Sequence, residues 1–128
     1  MTPKGKLCQG RIVWVWLANP QGKDPKQRPI VILTPDEQIE TSEQLYGIVC
    51  SHSHAAITPR PDYYIPLSWN QTGTTKTKLR KETVALCNWP AAFNKFDVTP
   101  DNVGGVVSSE EFAAIVAKGR ECYARAKQ

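Results

Sequence analysis

Two strongly apolar runs, residues 12–17 (IVWVWL) and 30–33 (IVIL), flank a polar loop of Asn, Pro, Gly, Lys, Asp and Gln. Runs of this length, rich in Val, Ile and Trp and bounded by Pro and Gly, predict two buried strands of a hairpin. The loop is longer than a two-residue turn, so its role extends beyond joining strands. Residues 34–44 (TPDEQIETSEQ) are acidic and polar and read as a solvated connection. Apolar segments at 46–54 (YGIVCSHSH), 64–69 (YIPLSW) and 83–89 (TVALCNW) predict further strands. They are separated by a Pro-punctuated turn, ITPRPDYY, and by the polar stretch NQTGTTKTKLRKE. Short strands divided by turn residues predict a compact, antiparallel, barrel-like sheet.

From Ser108 onward the periodicity is helical. Ser108 and Glu111 have the spacing of a capping box. Phe112, Ile115, Val116, Gly119, Cys122 and Tyr123 then recur on one face, with Glu, Lys and Arg on the other. This predicts an amphipathic helix closing one side of the sheet. Residues 90–107 form a connection without an assigned structure. The expected class is mainly β with a C-terminal helix.

At 128 residues the chain is expected to be a single domain, residues 1–128, able to bury a core. Its 41% hydrophobic and 22% charged residues are those of a globular protein. No apolar run reaches the length of a membrane span, so no membrane partner is expected. The start, MTPKGKLCQG, lacks the apolar core of a signal peptide, so a cytoplasmic location is expected. Cys8, Cys50, Cys87 and Cys122 are far apart and form no CxxC pair; in a reducing compartment they read as ordinary thiols. The net charge of +4 permits an anionic partner without demanding one.

Three features carry candidate chemistry. Arg28 stands before Pro29, which restricts the backbone at the entrance to the second strand. Lys23 and Lys26 add positive potential in the same loop, and Asp24 could pair with Arg28. For any single arginine, a surface role is the commoner outcome. The second feature is Cys50-Ser51-His52-Ser53-His54. Strand alternation puts Cys50, His52 and His54 on one face and Ser51 and Ser53 on the other. A zinc site is rejected, because residues two apart on a strand are separated by roughly 6.5–7 Å. A serine–histidine pair is disfavoured because neighbours face opposite ways. Third, Lys76, Lys78, Arg80 and Lys81 precede the nearest acid, Glu82, in a stretch that Gly73 and its threonines make flexible. Such a run is compatible with a solvated loop. Beside Trp69 and Trp89, it also suits single-stranded nucleic acid, with cations on phosphates and aromatics on bases.

Residues 10–33 resemble the opening of the MazF/PemK family of toxins from bacterial toxin–antitoxin pairs. The matching pieces are Gly10, Ile12-Val13-Trp14-Val15, Pro20, Gly22 and Arg28-Pro29-Ile30-Val31-Ile32-Leu33. The likeness continues through the strand ending in Ser/His, through LRKETVALCNW and into the C-terminal helix, and so covers most of the chain. It implies a small barrel of the SH3-like, CcdB-like kind, usually a homodimer, that cuts single-stranded RNA without a metal or other cofactor. The implied reaction is attack of a ribose 2′-hydroxyl on the adjacent phosphorus, giving a cyclic phosphate and a 5′-hydroxyl. The family assigns this work chiefly to the arginine before the proline and a Thr/Ser ending the third strand. Arg28 matches the first; Ser53, or Ser51 in a shifted register, matches the second. His52 or His54 could add a proton-transfer group near neutral pH. Lys23, Lys26, Trp69, Lys76, Lys78 and Arg80 are the candidate RNA contacts. A cognate antitoxin is implied, its acidic segment suited to a groove lined by Arg28 and the basic loop.

The chain departs from the family pattern in places. Position 11 is Arg where an acid is usual, Pro20-Gln21-Gly22 is one residue tighter than Pro-x-x-Gly, and serine replaces threonine. These changes bear on sequence preference more than on activity. Two alternatives keep the fold and drop the catalysis: a gyrase poison of the Ccd type, and an inactive nucleic-acid-binding barrel. The chain ends YARAKQ, without the Trp-containing apolar terminus of the Ccd type, which ranks that alternative lower.

Overall fold

A computed structural model describes residues 6–126. Residues 1–5, which carry part of the expectation about a leader, and residues 127–128, the end of YARAKQ, lie outside the described residues. Six strands form one antiparallel sheet: β1 (Arg11–Leu17), β2 (Lys26–Ile32), β3 (Gln44–Ser51), β4 (Tyr64–Pro66), β5 (Val84–Asn94) and β6 (Val103–Val106), in the order β4-β5-β3-β2-β1-β6. Among the described residues two α-helices accompany the sheet, α1 (Asp36–Thr41) and α2 (Ser109–Ala126), with three short 3-10 turns.

Alternation along the central strands sends side chains to two buried faces. Ile12, Val31, Ile48, Cys50 and Cys87 belong to one core, with Leu67, Leu79 and Ile115. Val13, Val15, Ile30, Ile32, Val49 and Phe93 build the other. The near-continuous apolar run in β2 follows from this double burial, whereas in β1 Trp14 and Trp16 are exposed on one face. The β2–β3 approach depends on Gly47, where a Cβ would collide with the Ile30 side chain and the Val31 carbonyl.

The expected mainly β architecture with a C-terminal helix is present, but the sheet is not closed into a barrel. Its edges, β4 and β6, are spanned by the segment between β4 and β5. Leu67 N–H donates to Thr83 O at 3.0 Å, while Gly105 and Val106 N–H donate to Thr77 O and Lys76 O at 3.1 and 3.0 Å. The crossing is close: a Cβ at Gly105 would meet the Lys76 and Thr77 backbone. Thr77 is 1% exposed and Leu79 lies in the core. The stretch expected to be flexible is therefore pinned, by contacts too distant in sequence for local composition to reveal.

Two other expectations are corrected. Residues 34–44 are not a plain solvated connection: they contain α1, which buries Ile39 against the second core. The strand expected at 83–89 runs on to Asn94, with Pro90 next to a register shift between Ile48 and Cys50. A proline inside a strand is tolerated at such an irregularity. The unassigned residues 90–107 hold the second half of β5, two 3-10 turns and β6.

The capping box forms as its spacing predicts. Glu111 N–H donates to Ser108 Oγ at 3.1 Å, and Ser108 N–H donates to Glu111 Oε1 at 2.8 Å. Glu111 Oε2 also accepts from Ser68 N–H at 2.6 Å, tying α2 to the chain just after β4.

Candidate active site

The second core face ends in a polar cluster where β2 begins and β3 stops. Arg28 shares that face with Ile30 and Ile32 by alternation, and the register pairs it with Val15 on β1. The β2–β3 ladder runs Ile30↔Val49, Val31↔Ile48 and Ile32↔Gly47. The ladder ends at Ile30↔Val49, with Arg28 and Ser51 each two residues beyond that pair on their own strands.

Arg28 is held rather than free, only 8% exposed. Its Nε donates to Leu17 O at 3.1 Å and its Nη2 to Asp24 O at 2.8 Å. The Asp24 carboxylate lies 3.6 Å from Nη2, and the guanidinium carbon stands 5.1 Å from the centre of the Trp89 ring. The Asp24 side chain is largely exposed, so the ion pair contributes modestly and the fixed geometry matters more. Among the described residues Nη1 makes no hydrogen bond, leaving one edge of the cation available to an oxyanion.

The hairpin loop that presents Asp24 is built on Asn19. Its side-chain oxygen accepts from Gln21 and Lys23 N–H at 3.0 and 2.9 Å, and its backbone N–H donates to Lys23 O at 2.7 Å. Gly22 and Asp24 adopt positive φ of 79° and 54°. Lys23 and Lys26 are exposed on this loop, and Lys26 reaches Asp24 at 4.0 Å.

Beyond Ser51 the alternation stops. His52 takes a helical backbone conformation and residues Ser53–Ala56 form a 3-10 turn. His54 therefore folds back instead of joining Cys50 and His52 on their face. Its Nδ1 lies 2.7 Å from Ser51 Oγ, and its backbone N–H donates to the same oxygen at 3.2 Å. Ser53 Oγ is 3.1 Å from Ser51 Oγ and 3.5 Å from the His54 Nδ1. The serine–histidine pairing that strand parity disfavoured is thus present, between Ser51 and His54. Because Ser51 Oγ already accepts the amide N–H, its own proton can go to Nδ1, which would leave the imidazole proton on Nε2. The Tyr64 ring meets His54 edge-on at 5.9 Å, and its hydroxyl pKa is raised by burial and then by Tyr63. Trp89 packs against the cluster of Ala55, Val84 and Leu86 and also lies under the Arg28 guanidinium.

His52 goes elsewhere. It follows Cys50 to the opposite face, where its Nδ1 donates to Glu82 O at 2.8 Å. There it lines a cavity with Ile12, Trp14, Lys78 and Arg80. Lys76 is exposed on the same pinned segment, and Trp69 is 39% exposed near its start. The structure thus separates the candidates into two groups, one around Arg28, Ser51 and Ser53 and one around His52, Lys78 and Arg80. Among the described residues, no three of His, Cys, Asp and Glu converge in a way that could hold a metal ion. Nor is any helix there long and apolar enough to cross a membrane.

Residues 8–120 match the family of PemK-like, MazF-like toxins of type II toxin–antitoxin systems. The chain belongs to this family. No curated protein matches it in sequence. Among solved structures, the chain is similar to MazF in a MazE–MazF crystal form from Deinococcus radiodurans, at 11% identity and a TM-score of 0.66 over 92% of this chain and 96% of that one. It is also similar to the Mycobacterium tuberculosis toxin MazF-mt6, with 13% identity, a TM-score of 0.65 and coverages of 88% and 95%. A mycobacterial endoribonuclease in complex with its cognate antitoxin gives 7% identity, a TM-score of 0.60 and coverages of 92% and 93%. At such identities these likenesses concern the MazF fold. The chain is a MazF/PemK-family toxin.

Proposed function

We propose that this toxin is a metal-independent endoribonuclease that cleaves single-stranded RNA by attack of a ribose 2′-hydroxyl on the neighbouring phosphorus. Such a reaction needs a proton removed from the 2′-hydroxyl, a proton given to the departing 5′-oxygen, and stabilisation of a charged phosphorane. In this reading Arg28, held by Leu17, Asp24 and Trp89, offers its remaining edge to the phosphorane oxygens. Ser51 orients His54 by giving its one hydroxyl proton to Nδ1. The imidazole of His54 is the proton-transfer group. Ser53 is an auxiliary hydroxyl of the same cluster, and His52 has no part in proton transfer. Lys23 and Lys26, on the rim, add positive potential that attracts the strand.

The observation that carries this reading is the pairing of a caged arginine with a Ser51–His54 hydrogen bond at adjoining strand ends. Family membership supplies the reaction class. By the same membership the toxin is expected to form a homodimer and to be neutralised by a cognate antitoxin, whose acidic segment suits the basic surface. Mapping the ends produced from a long RNA in the presence of chelator tests the reaction. Cyclic phosphate and 5′-hydroxyl ends are expected. Loss of cleavage on chelation contradicts the mechanism, and intact RNA throughout favours a non-catalytic binding barrel.

A further inference from the structure

The His52 side of the sheet contains a second, differently built site. A cavity of about 340 Å³ opens between β1, the end of β3 and the pinned segment 76–83. That is the size of a small-ligand pocket. Lys78, Arg80 and Lys81 line it, together with His52 and the partly exposed Trp14. No Asp or Glu is among its lining residues. The nearest acid in sequence, Glu82, turns its carboxylate to Arg60 at 3.6 Å and gives only its backbone oxygen to His52.

Like most cations among the described residues, Lys78, Arg80 and Lys81 make no ion pair, whereas Lys26, Arg28, Arg60, Lys118 and Arg125 have carboxylate partners; these three are grouped around one cavity. They are not carried on a solvated loop. Their segment is fixed by the Thr77 and Lys76 hydrogen bonds to β6 and by burial of Thr77 and Leu79. Lys78 itself is held at a φ of 61°, a conformation unfavourable for a side-chain-bearing residue that persists only where its surroundings impose it. A rigid, uncompensated group of cations beside an aromatic face fits one nucleotide: phosphate on the cations, base on the indole. His52 adds polar recognition. With Nδ1–H donated to Glu82 O, its Nε2 is an acceptor for a donor on the base edge.

We infer that this cavity is a second nucleotide subsite, binding the same RNA strand on the opposite face of the sheet from the Arg28 cluster. The two sites meet at one strand end, because Ser51 and His52 are consecutive and face opposite ways. A single strand passing over the end of β3 can engage both. His52 is then a base-recognition residue, and Trp14 its stacking platform. The inference rests on RNA being the substrate.

Binding of a short 2′-O-methyl RNA, which cannot be cleaved, tests it with the full chain. Affinity would be measured against salt for wild type, Arg28→Ala and the double variant Lys78→Gln/Lys81→Gln, with thermal melts to confirm folding. The double variant is expected to bind about tenfold more weakly, with a salt slope smaller by about 1.4. The imidazole signal of His52 is expected to shift on adding the oligonucleotide, in wild type and in Arg28→Ala alike. Wild-type affinity and slope in the folded double variant, or an unmoved His52 signal, would overturn the inference. So would loss of polyglutamate binding in that variant with RNA binding intact, which would assign the cavity to an acidic protein partner. Oligonucleotide binding that depends on Lys78 and Lys81, in a protein that cuts no RNA, would refute the catalytic proposal and leave the subsite standing.

Discussion

Ser51 Oγ stands 2.7 Å from Nδ1 of His54, three residues on, because the chain leaves the extended conformation at His52 and turns back. This contact makes Ser51 the hydroxyl, and His54 the imidazole, to alter first. General acid–base groups contribute about 10²–10⁴-fold. His54→Ala is expected to lower kcat within that range. Ser51→Ala is expected to lower kcat by less, since it acts partly through His54. Full activity in His54→Ala would remove the imidazole from the mechanism. The same substitution at His52 is expected to act on KM more than on kcat, and steady-state kinetics separates the two.

The Ser108–Glu111 box gives a prediction about stability alone. Ser108→Ala removes one capping bond and is expected to cost about 1 kcal/mol. Glu111→Ala is expected to cost more, because it also leaves Ser68 N–H without its acceptor. Denaturant melts of both variants, with unchanged m-values, check the order.

The core thiols make stability depend on alkaline pH. Burial pushes the Cys87 thiol from 9.0 up to about 12, with Cys122 adding to the shift, and burial raises Cys50 further. In the unfolded chain these thiols ionise first, so the unfolded state binds fewer protons as pH rises past 9.0. Their stabilising effect is complete below pH 9.0 and is lost towards about 12. Each thiol is expected to remove about 1.4 kcal/mol per pH unit in that window. Melts across it should show a shallower decline for Cys87→Ala than for wild type; equal slopes would contradict this.

Gly47 is predicted to be intolerant of substitution. Gly47→Ala forces a Cβ into Ile30 and the Val31 carbonyl, where backbone cannot yield cheaply. A loss of several kcal/mol or failure to fold is expected. A melt within 1 kcal/mol of wild type would show that β2 and β3 separate easily.

Much of this fold is legible in the sequence. Residues 30–33 announce β2 because both its faces are buried, residues 12–17 announce β1 although Trp14 and Trp16 on one face are exposed, and Ser108 with Glu111 marks the start of α2. The helix α1 escapes notice because Ile39 is its one core side chain amid acids and polar residues. The continuation of β5 is hidden by Pro90, whose place beside a register shift depends on pairing with β3. At the candidate site, Arg28-Pro29 and the Ser/His run are visible, but their grouping is not. Parity holds for Ser51 and His52 and fails for His54, because the strand ends at Ser51. The basic segment has the composition of a mobile loop because the partners that fix it, Gly105 and Val106, lie nearly thirty residues away.

The central claim is that Arg28 stabilises the charge that develops when RNA is cut. Single-turnover cleavage of a long RNA, with chelator present, by wild type and by Arg28→Ala confirmed folded by circular dichroism measures it directly. The account predicts metal-free cleavage by wild type and a loss of about 10²–10³-fold in Arg28→Ala. Equal rates from the two proteins would contradict it.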